Sequence, residues 1–315
     1  MALQTGRNYV KFDFNNIKLA HTWDDSIQSL KDILLDFIQS NNHHIYKKDF
    51  KESSLNFYSL TCKLTTLNEI YILLILVEPS LAITNEQKIN LEQLYNILKA
   101  KTYFQNISFY YQLTPSSKKP LDEEPVNHVA GPIDVCENVF DYKIYISPNS
   151  FTQSNYSKMI ELYTLINAQT QNSNNKIDTL HYYGRGMSPI CHVLHSNFKK
   201  LYGYSSCPIS YADGIKSLKT NNLPNIEFVY DSQRNHFFHN IDQDHENSVI
   251  IISASRNGFR QLDKITKFKR FIYIACNMES FHSEIKDLPI RYKIIGEIDM
   301  FPGTKYKEVI MDIFL

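Results

Sequence analysis

Near the carboxyl end of the chain, a cysteine and a glutamate stand where a thiol and a carboxylate could work on one substrate. Cys276 follows the apolar run Phe271-Ile272-Tyr273-Ile274, which reads as a buried strand of a parallel sheet. The thiol then falls just past the carboxyl end of that strand, the edge at which open α/β sheets bind ligands. Glu308 lies downstream of the aromatic-proline turn Met300-Phe301-Pro302-Gly303. A thiolate attacks electrophilic carbon and a carboxylate collects a proton, so the two together suit covalent catalysis. The plainer alternative is that Cys276 is one more buried free thiol at a strand end, since unpaired cysteines are mostly buried and inert.

Four ordered elements resemble the RNA uracil-5 methyltransferase family, the SAM-dependent enzymes that make 5-methyluridine in transfer and ribosomal RNA. Ala275-Cys276-Asn277-Met278 is similar to the family's SCNP, with Ala for Ser and Met for Pro. Residues Asp299 to Glu308 are similar to DMFPxTxHxE with the spacing intact and Tyr306 in place of the His. Ser147 to Asn155, SPNSFTQSN, looks like SPxxFxQxN, and Gly131-Pro132-Ile133 sits upstream where a glycine opens the preceding strand. Several elements in the right order are harder to meet by chance than one, and they span roughly the last two thirds of the chain.

The resemblance implies that Cys276 is the nucleophile and Glu308 the general base. Uracil carbon 5 is a poor nucleophile until something adds to carbon 6, which is the task of a thiolate. The carbon-5 proton must then leave before the thiol can, which is the task of a carboxylate. For the cofactor, SAM, the resemblance implies Gln153, Gly184, Gly186, Ser205 and Ser253. Tyr183-Gly184-Arg185-Gly186-Met187 supplies a glycine turn that lets backbone approach a ligand. A short GxG is also an ordinary loop. Gln153 has a second reading as the N3 partner of an N-cap Ser150 in a capping box.

The donor pocket departs from the family pattern at three acidic positions. The aspartate of DLYCGxG aligns with Leu180, the ribose-holding carboxylate with Ser205, and the aspartate of DPPR with Ser253, while the arginine persists as Arg256. Asp178, Glu227 and Asp231 are candidates to stand in. For RNA, Phe151 and Phe301 could hold a uridine swung out of its stack, and Arg256 and Lys305 could meet phosphate. Core packing and scattered surface charge are the alternatives for these residues.

The elements that must position these groups fall into two domains. Residues 1–148 read as a smaller α+β domain: a helix over Asp24–Ile38, strands over Ser54–Leu64 and Glu69–Val77 joined at Thr65-Thr66-Leu67-Asn68, a helix over Asn85–Ala100, and a strand over Ile107–Leu113. Residues 114–127 read as an exposed loop and Val139–Ser147 as a strand. From residue 149 to 315 helices and strands alternate, with the Asn-rich stretch Gln169–Asn175 as a linker. That alternation predicts a doubly wound, mostly parallel sheet, the class I Rossmann-like methyltransferase fold of the resemblance. With about two dozen residues before the first helix, the small RNA-binding barrel of some family members is not expected, and with the cysteines so widely spaced neither is their four-cysteine iron-sulfur cluster.

Composition narrows the classes. With 315 residues, 43% of them hydrophobic, the chain can build two full cores, and 33 basic residues balance 33 acidic ones. A neutral chain argues against a broad, tight RNA surface, since phosphate contacts are made by Lys and Arg. Cys62, Cys136, Cys191, Cys207 and Cys276 form no CxxC pair, and His43, His44, His236, His239 and His245 show no metal spacing. No metal is expected, and the histidines read as solvated loop residues. The longest apolar run, Ile70 to Val77, is far short of the ~20 residues of a membrane span. The expectation is a cytoplasmic monomer that methylates carbon 5 of a uridine in structured RNA, tRNA or rRNA. The alternative is an inert RNA-binding or assembly factor that keeps the fold but has lost SAM.

Overall fold

The computed structural model describes residues 9–13, 25–46, 51, 54–115, 125–171, 178–243, 248–266, 268, 270–304 and 306–314. Two compact units divide the chain, Met1–Glu137 and Asn138–Leu315. The division falls upstream of residue 149.

In the first unit, β1 (Tyr9–Asp13), α1 (Asp25–Ser40), β2 (His44–Ile45), β3 (Asn56–Leu64), β4 (Glu69–Val77), α2 (Asn85–Lys101), β5 (Asn106–Thr114) and β6 (Val126–Ala130) follow in order. The sheet runs β1-β3-β4-β5-β6, with β2 beside β3. Leu60 and Cys62 of β3 and Ile70, Ile72 and Leu74 of β4 share one face by the twofold strand period. That face packs with Leu30, Leu34 and Phe37 of α1 and Leu91, Leu94 and Leu98 of α2. The β3–β4 turn closes where the sequence predicts, with Thr65 N–H donating to the Glu69 carbonyl at 2.8 Å and Asn68 at φ 58°, a conformation Asn tolerates. Thr84 and Gln87 cap α2 reciprocally. β6 lies partly inside the predicted loop: its polar Asn127 and His128 hide the strand, which antiparallel pairing with β5 decides.

The ribbon of β7 (Cys136–Val139) and β8 (Tyr142–Tyr145) replaces the single strand expected over Val139–Ser147. Then come α3 (Tyr156–Gln171), β9 (Thr179–Tyr183), α4 (Met187–Leu194), β10 (Lys200–Ser205), α5 (Pro208–Asn221), β11 (Ile226–Tyr230), α6 (Asn235–Gln243), β12 (Ser248–Ser253), β13 (Arg270–Ala275), α7 (Met278–Ile285), β14 (Arg291–Ile298) and β15 (Glu308–Phe314). Gln169–Gln171, read as the start of a linker, close α3 instead. The seven-stranded sheet has the order β11-β10-β9-β12-β13-β15-β14. The first five strands are mutually parallel, and β15 runs antiparallel between β13 and β14.

Strand order reverses between β9 and β12, the switch point at which doubly wound sheets open a crevice. Tyr204, Phe237, Ile250, Ile252, Phe259, Phe271, Tyr273 and Phe281 pack on one face of the sheet. Two further observations correct the reading of the histidines. His236 and His239 sit on α6, whose Phe237 and Ile241 at helical spacing are buried. His43 packs between Phe37 and Phe57, with ring centroids 5.2 and 6.1 Å away. His245 lies outside the described residues.

Candidate active site

Loops that follow β9, β10, β12 and β13 all leave the sheet at its carboxyl edge, because these strands are parallel. β15 is reversed, so its first residue, Glu308, enters at that same edge. Ala275 pairs with Val309 and Ile274 with Ile310, and one more step of this register sets Cys276 opposite Glu308. Both are buried, 9% and 6% exposed. Burial, reinforced by the negative Glu308, pushes the Cys276 thiol up to about 11, with Arg256 pulling the other way. Burial pushes the Glu308 carboxyl up to about 7, again against the pull of Arg256. The pair is therefore brought together by strand register, and a carboxylate poised near neutral pH is suited to proton transfer.

Arg256, itself exposed, acts electrostatically on both members of this pair. Its guanidinium lies 5.3 Å from the centre of the Tyr306 ring and 6.0 Å from that of Phe301, a cation–π arrangement. Phe301 is accordingly a half-buried platform under the arginine, and Tyr306, at the position of the family's His, is the other ring. The neighbouring Lys305 lies outside the described residues.

The segment Ser147–Asn155 is pinned to α5. Ser147 donates to the buried Asp213 carboxylate through its N–H at 2.8 Å and its hydroxyl at 2.7 Å. Phe151 is 43% exposed, which removes the core-packing alternative for it. The capping box is also removed: Asn155 caps α3, its side-chain oxygen accepting from Lys158 N–H at 3.2 Å and from the Ser157 hydroxyl at 3.0 Å. Gln153 is buried just ahead of this cap and is not its partner.

Gly184 and Gly186 follow β9 in a turn that leads into α4. A Cβ added at Gly184 would meet the Ser253 Cβ at 2.9 Å and the Tyr182 hydroxyl at 3.0 Å, and one at Gly186 would meet the Phe151 ring at 3.0 Å. Glycine here is thus a matter of space, and it brings Gly184, Ser253, Gly186 and Phe151 into one neighbourhood. Ser253 shares a hydrogen bond with Tyr182, and buried Tyr182 and Tyr163 both feel the Glu308 charge. Sequence reasoning missed these two tyrosines; the alternation of β9 at Tyr182 and the helical period of α3 at Tyr163 were the available signals.

The stand-in carboxylates do not reach the glycine turn. Asp178 precedes β9 and pairs with Lys199 at 2.8 Å, and Glu227, the second residue of β11, pairs with Lys200 at 3.9 Å. Both lie toward the amino edge, roughly 10–15 Å from the carboxyl edge at the rise of a strand. Asp231 is at the carboxyl edge, but its carboxylate accepts from Phe237 N–H at 2.8 Å, at the start of α6. Leu180 is fully buried within β9, and Ser205 is fully buried with its hydroxyl accepting from Cys207 N–H at 3.1 Å. Among the described residues, no group of three or more His, Cys, Asp or Glu is placed to hold a metal. Nor is any helix among them long and apolar enough to cross a membrane.

No protein-family profile matches the chain. Individual relatives do. An uncharacterized RNA methyltransferase of Fusobacterium nucleatum is 25% identical over 294 residues, covering 90% of this chain and 60% of that protein. The tRNA (uracil(54)-C(5))-methyltransferase of Pyrococcus abyssi is 25% identical over 219 residues, 68% of this chain and 51% of its own length. The chain thus spans about 60% of the former and about half of the latter. Among solved structures, the Pyrococcus abyssi tRNA (uracil-54, C5)-methyltransferase in complex with S-adenosyl-L-homocysteine superposes with a TM-score of 0.72 at 18% identity, over 99% of this chain and 76% of that one. That likeness establishes the fold, a class I methyltransferase sheet, in agreement with the expectation from sequence. In sequence the chain is thus similar to RNA (uracil-C5)-methyltransferases, and in fold it is similar to one of them.

Proposed function

We propose that the chain transfers a methyl group from SAM to carbon 5 of a uridine in structured RNA, tRNA or rRNA, through a covalent adduct on Cys276. The observation that carries this reading is the register that sets Cys276 opposite Glu308 at the ligand-binding edge of the sheet. An inert RNA-binding factor has no need of a buried thiol and a carboxyl raised toward neutral pH side by side, since keeping them there costs stability.

The glycine turn after β9 suits a donor that needs close backbone approach, and a Cβ at Gly184 or Gly186 would crowd Ser253, Tyr182 or Phe151 beside it. Gly184, Gly186, Gln153 and the Ser253 side chain are the groups that would hold SAM. Ser205, turned into its own loop, would contribute shape rather than a ribose contact. When bound, SAM supplies an electrophilic methyl group and leaves as S-adenosylhomocysteine.

The residues of the chain do the rest. With its proton released to solvent, Cys276 sulfur bonds to carbon 6 of the uracil, and the displaced electron pair moves onto the carbon 5–carbon 4–oxygen system, which makes carbon 5 nucleophilic. Once carbon 5 carries the methyl group, the Glu308 carboxylate takes the carbon-5 proton; the electron pair left behind restores the carbon 5–carbon 6 double bond, and the sulfur leaves as thiolate. Phe151, exposed and beside Gly186, would stack on a flipped base.

The test is methyl transfer from radiolabelled SAM to unmodified tRNA and rRNA. The wild-type protein should label one of them, and Cys276→Ala should not. Label transfer by the Cys276→Ala protein would overturn the nucleophile.

A further inference from the structure

We propose that Arg256 is a positioning residue for this reaction, a fixed guanidinium that holds the chain segments of Cys276 and Glu308 together and favours the thiolate that attacks. The inference rests on Cys276 being the nucleophile.

Arg256 touches both segments, through different atoms. Its backbone carbonyl accepts from the Asn277 amide at 3.1 Å and the Ser280 hydroxyl at 2.8 Å, which ties it to the residue after Cys276 and to the first turn of α7. Its side chain lies over Tyr306 and Phe301, the turn that delivers Glu308. The loop that carries it is built to stay put. Arg260 N–H donates to the Glu284 carboxylate at 2.8 Å, Phe259 N–H to the Tyr273 hydroxyl at 3.2 Å, and Asn257 N–H to the Ser255 hydroxyl at 3.3 Å. Gly258, at φ +76°, leaves no room for a side chain beside the Glu284 carboxylate. Such fixed charges assist a reaction because they need not reorganise as charge develops.

Two charged side chains act on the thiol: Glu308 from β15 raises it, and Arg256 from the loop after β12 lowers it; Tyr273 of β13, raised by its own burial, adds no charge. Arg256 is the positive member of this set, and it also opposes the rise of Glu308.

The experiment is the pH dependence of Cys276 alkylation by iodoacetamide, read by mass spectrometry of the Cys276 peptide; it needs neither RNA nor SAM. Arg256→Gln should move the alkylation profile upward by about 0.5–1 pH unit, and Arg256→Lys, which keeps the charge without the flat ring contact, should recover part of that shift. Tyr306→Ala, which leaves the arginine and removes its seat, should move the profile in the same direction and serves if Arg256→Gln does not fold. Superimposable profiles for wild type and Arg256→Gln, or for wild type and Tyr306→Ala in its place, would overturn the role of Arg256 whether or not the protein methylates RNA. A shifted profile without methyl transfer to any RNA would support the role of Arg256 and count against the proposed reaction instead.

Discussion

Cys276 and Glu308 sit across from one another because β13 and β15 are antiparallel neighbours at the carboxyl edge of an otherwise mostly parallel sheet. A reversed strand at this place brings a late segment of the chain back to the edge where the parallel strands deliver their loops. Both groups are buried there, and burial raises both of their pKa values.

That burial has a stability cost that depends on pH. Glu308 is raised to about 7 in the folded protein from an ordinary value of 4.5. A raised carboxyl contributes stability that is fully present below pH 4.5 and is lost as pH rises through 7. At pH 8 the wild type should therefore be less stable than Glu308→Gln by about 2–3 kcal/mol, whereas at pH 4.5 the two should be close. Urea denaturation at the two pH values measures this, and a difference independent of pH would mean that Glu308 is not raised.

The rate should follow the same group. In the proposed reaction the carboxylate form of Glu308 accepts the carbon-5 proton, so kcat/KM for methyl transfer should fall on the acid side with a midpoint near 7. The Cys276 thiol, up to about 11, should keep the rate climbing into the alkaline range rather than giving a bell. An acid limb near pH 4.5 would mean that burial does not raise the carboxyl that acts as base. With Glu308→Gln, turnover should fall at least about 100-fold, and protein cross-linked to RNA should accumulate on a denaturing gel, because the adduct forms but cannot release.

The register itself can be tested away from the site. Arg270 on β13 makes a two-pronged contact with Asp312 on β15, at 2.8 and 2.6 Å, with the Asp312 side chain 9% exposed and that of Arg270 57% exposed. Removing the buried partner leaves a cation that water can reach, while removing the exposed one strands a buried carboxylate. Arg270→Met should then cost about 2–3 kcal/mol and Asp312→Asn only about 1 kcal/mol. Equal losses in urea denaturation would show that the pair is merely superficial.

Much of this site was legible in the sequence because motifs mark chemistry that needs particular residues at a particular spacing. The thiol after an apolar strand and the glutamate after DMFP could both be found that way, and so could the glycine turn after β9. What joins them could not. The pairing of Cys276 with Glu308 depends on β15 inserting between β13 and β14, a long-range choice that no local pattern encodes. Arg256 looked like ordinary surface charge because its seat, Tyr306 and Phe301, is distant in sequence and near only in the fold. Likewise, the hairpin ribbon β7–β8 and the edge strand β6 lack the clean alternation that revealed β3 and β4, so pairing rather than propensity decides them. Asp178 and Glu227 seemed able to replace missing carboxylates until strand direction put them on the far edge of the sheet.

The donor site makes the last prediction. Two carboxylates near the carboxyl edge are already engaged: Asp231 accepts from Phe237 N–H at the start of α6, and Glu308 faces the thiol. What remains is the close backbone approach at Gly184 and Gly186, so affinity for SAM should depend on those glycines more than on any charge. Calorimetric titration of the wild type with SAM should show micromolar binding. Gly184→Ala should weaken it at least about 10-fold, because its Cβ would press on the Cβ of Ser253, which the β12 backbone holds in place and which cannot swing aside as a flexible side chain would. Ser205→Ala should leave it within about threefold, since that hydroxyl is already engaged by Cys207 N–H. Wild-type protein that binds no SAM up to millimolar concentration would make the fold a relic of a methyltransferase, with the reactive pair surviving its reaction.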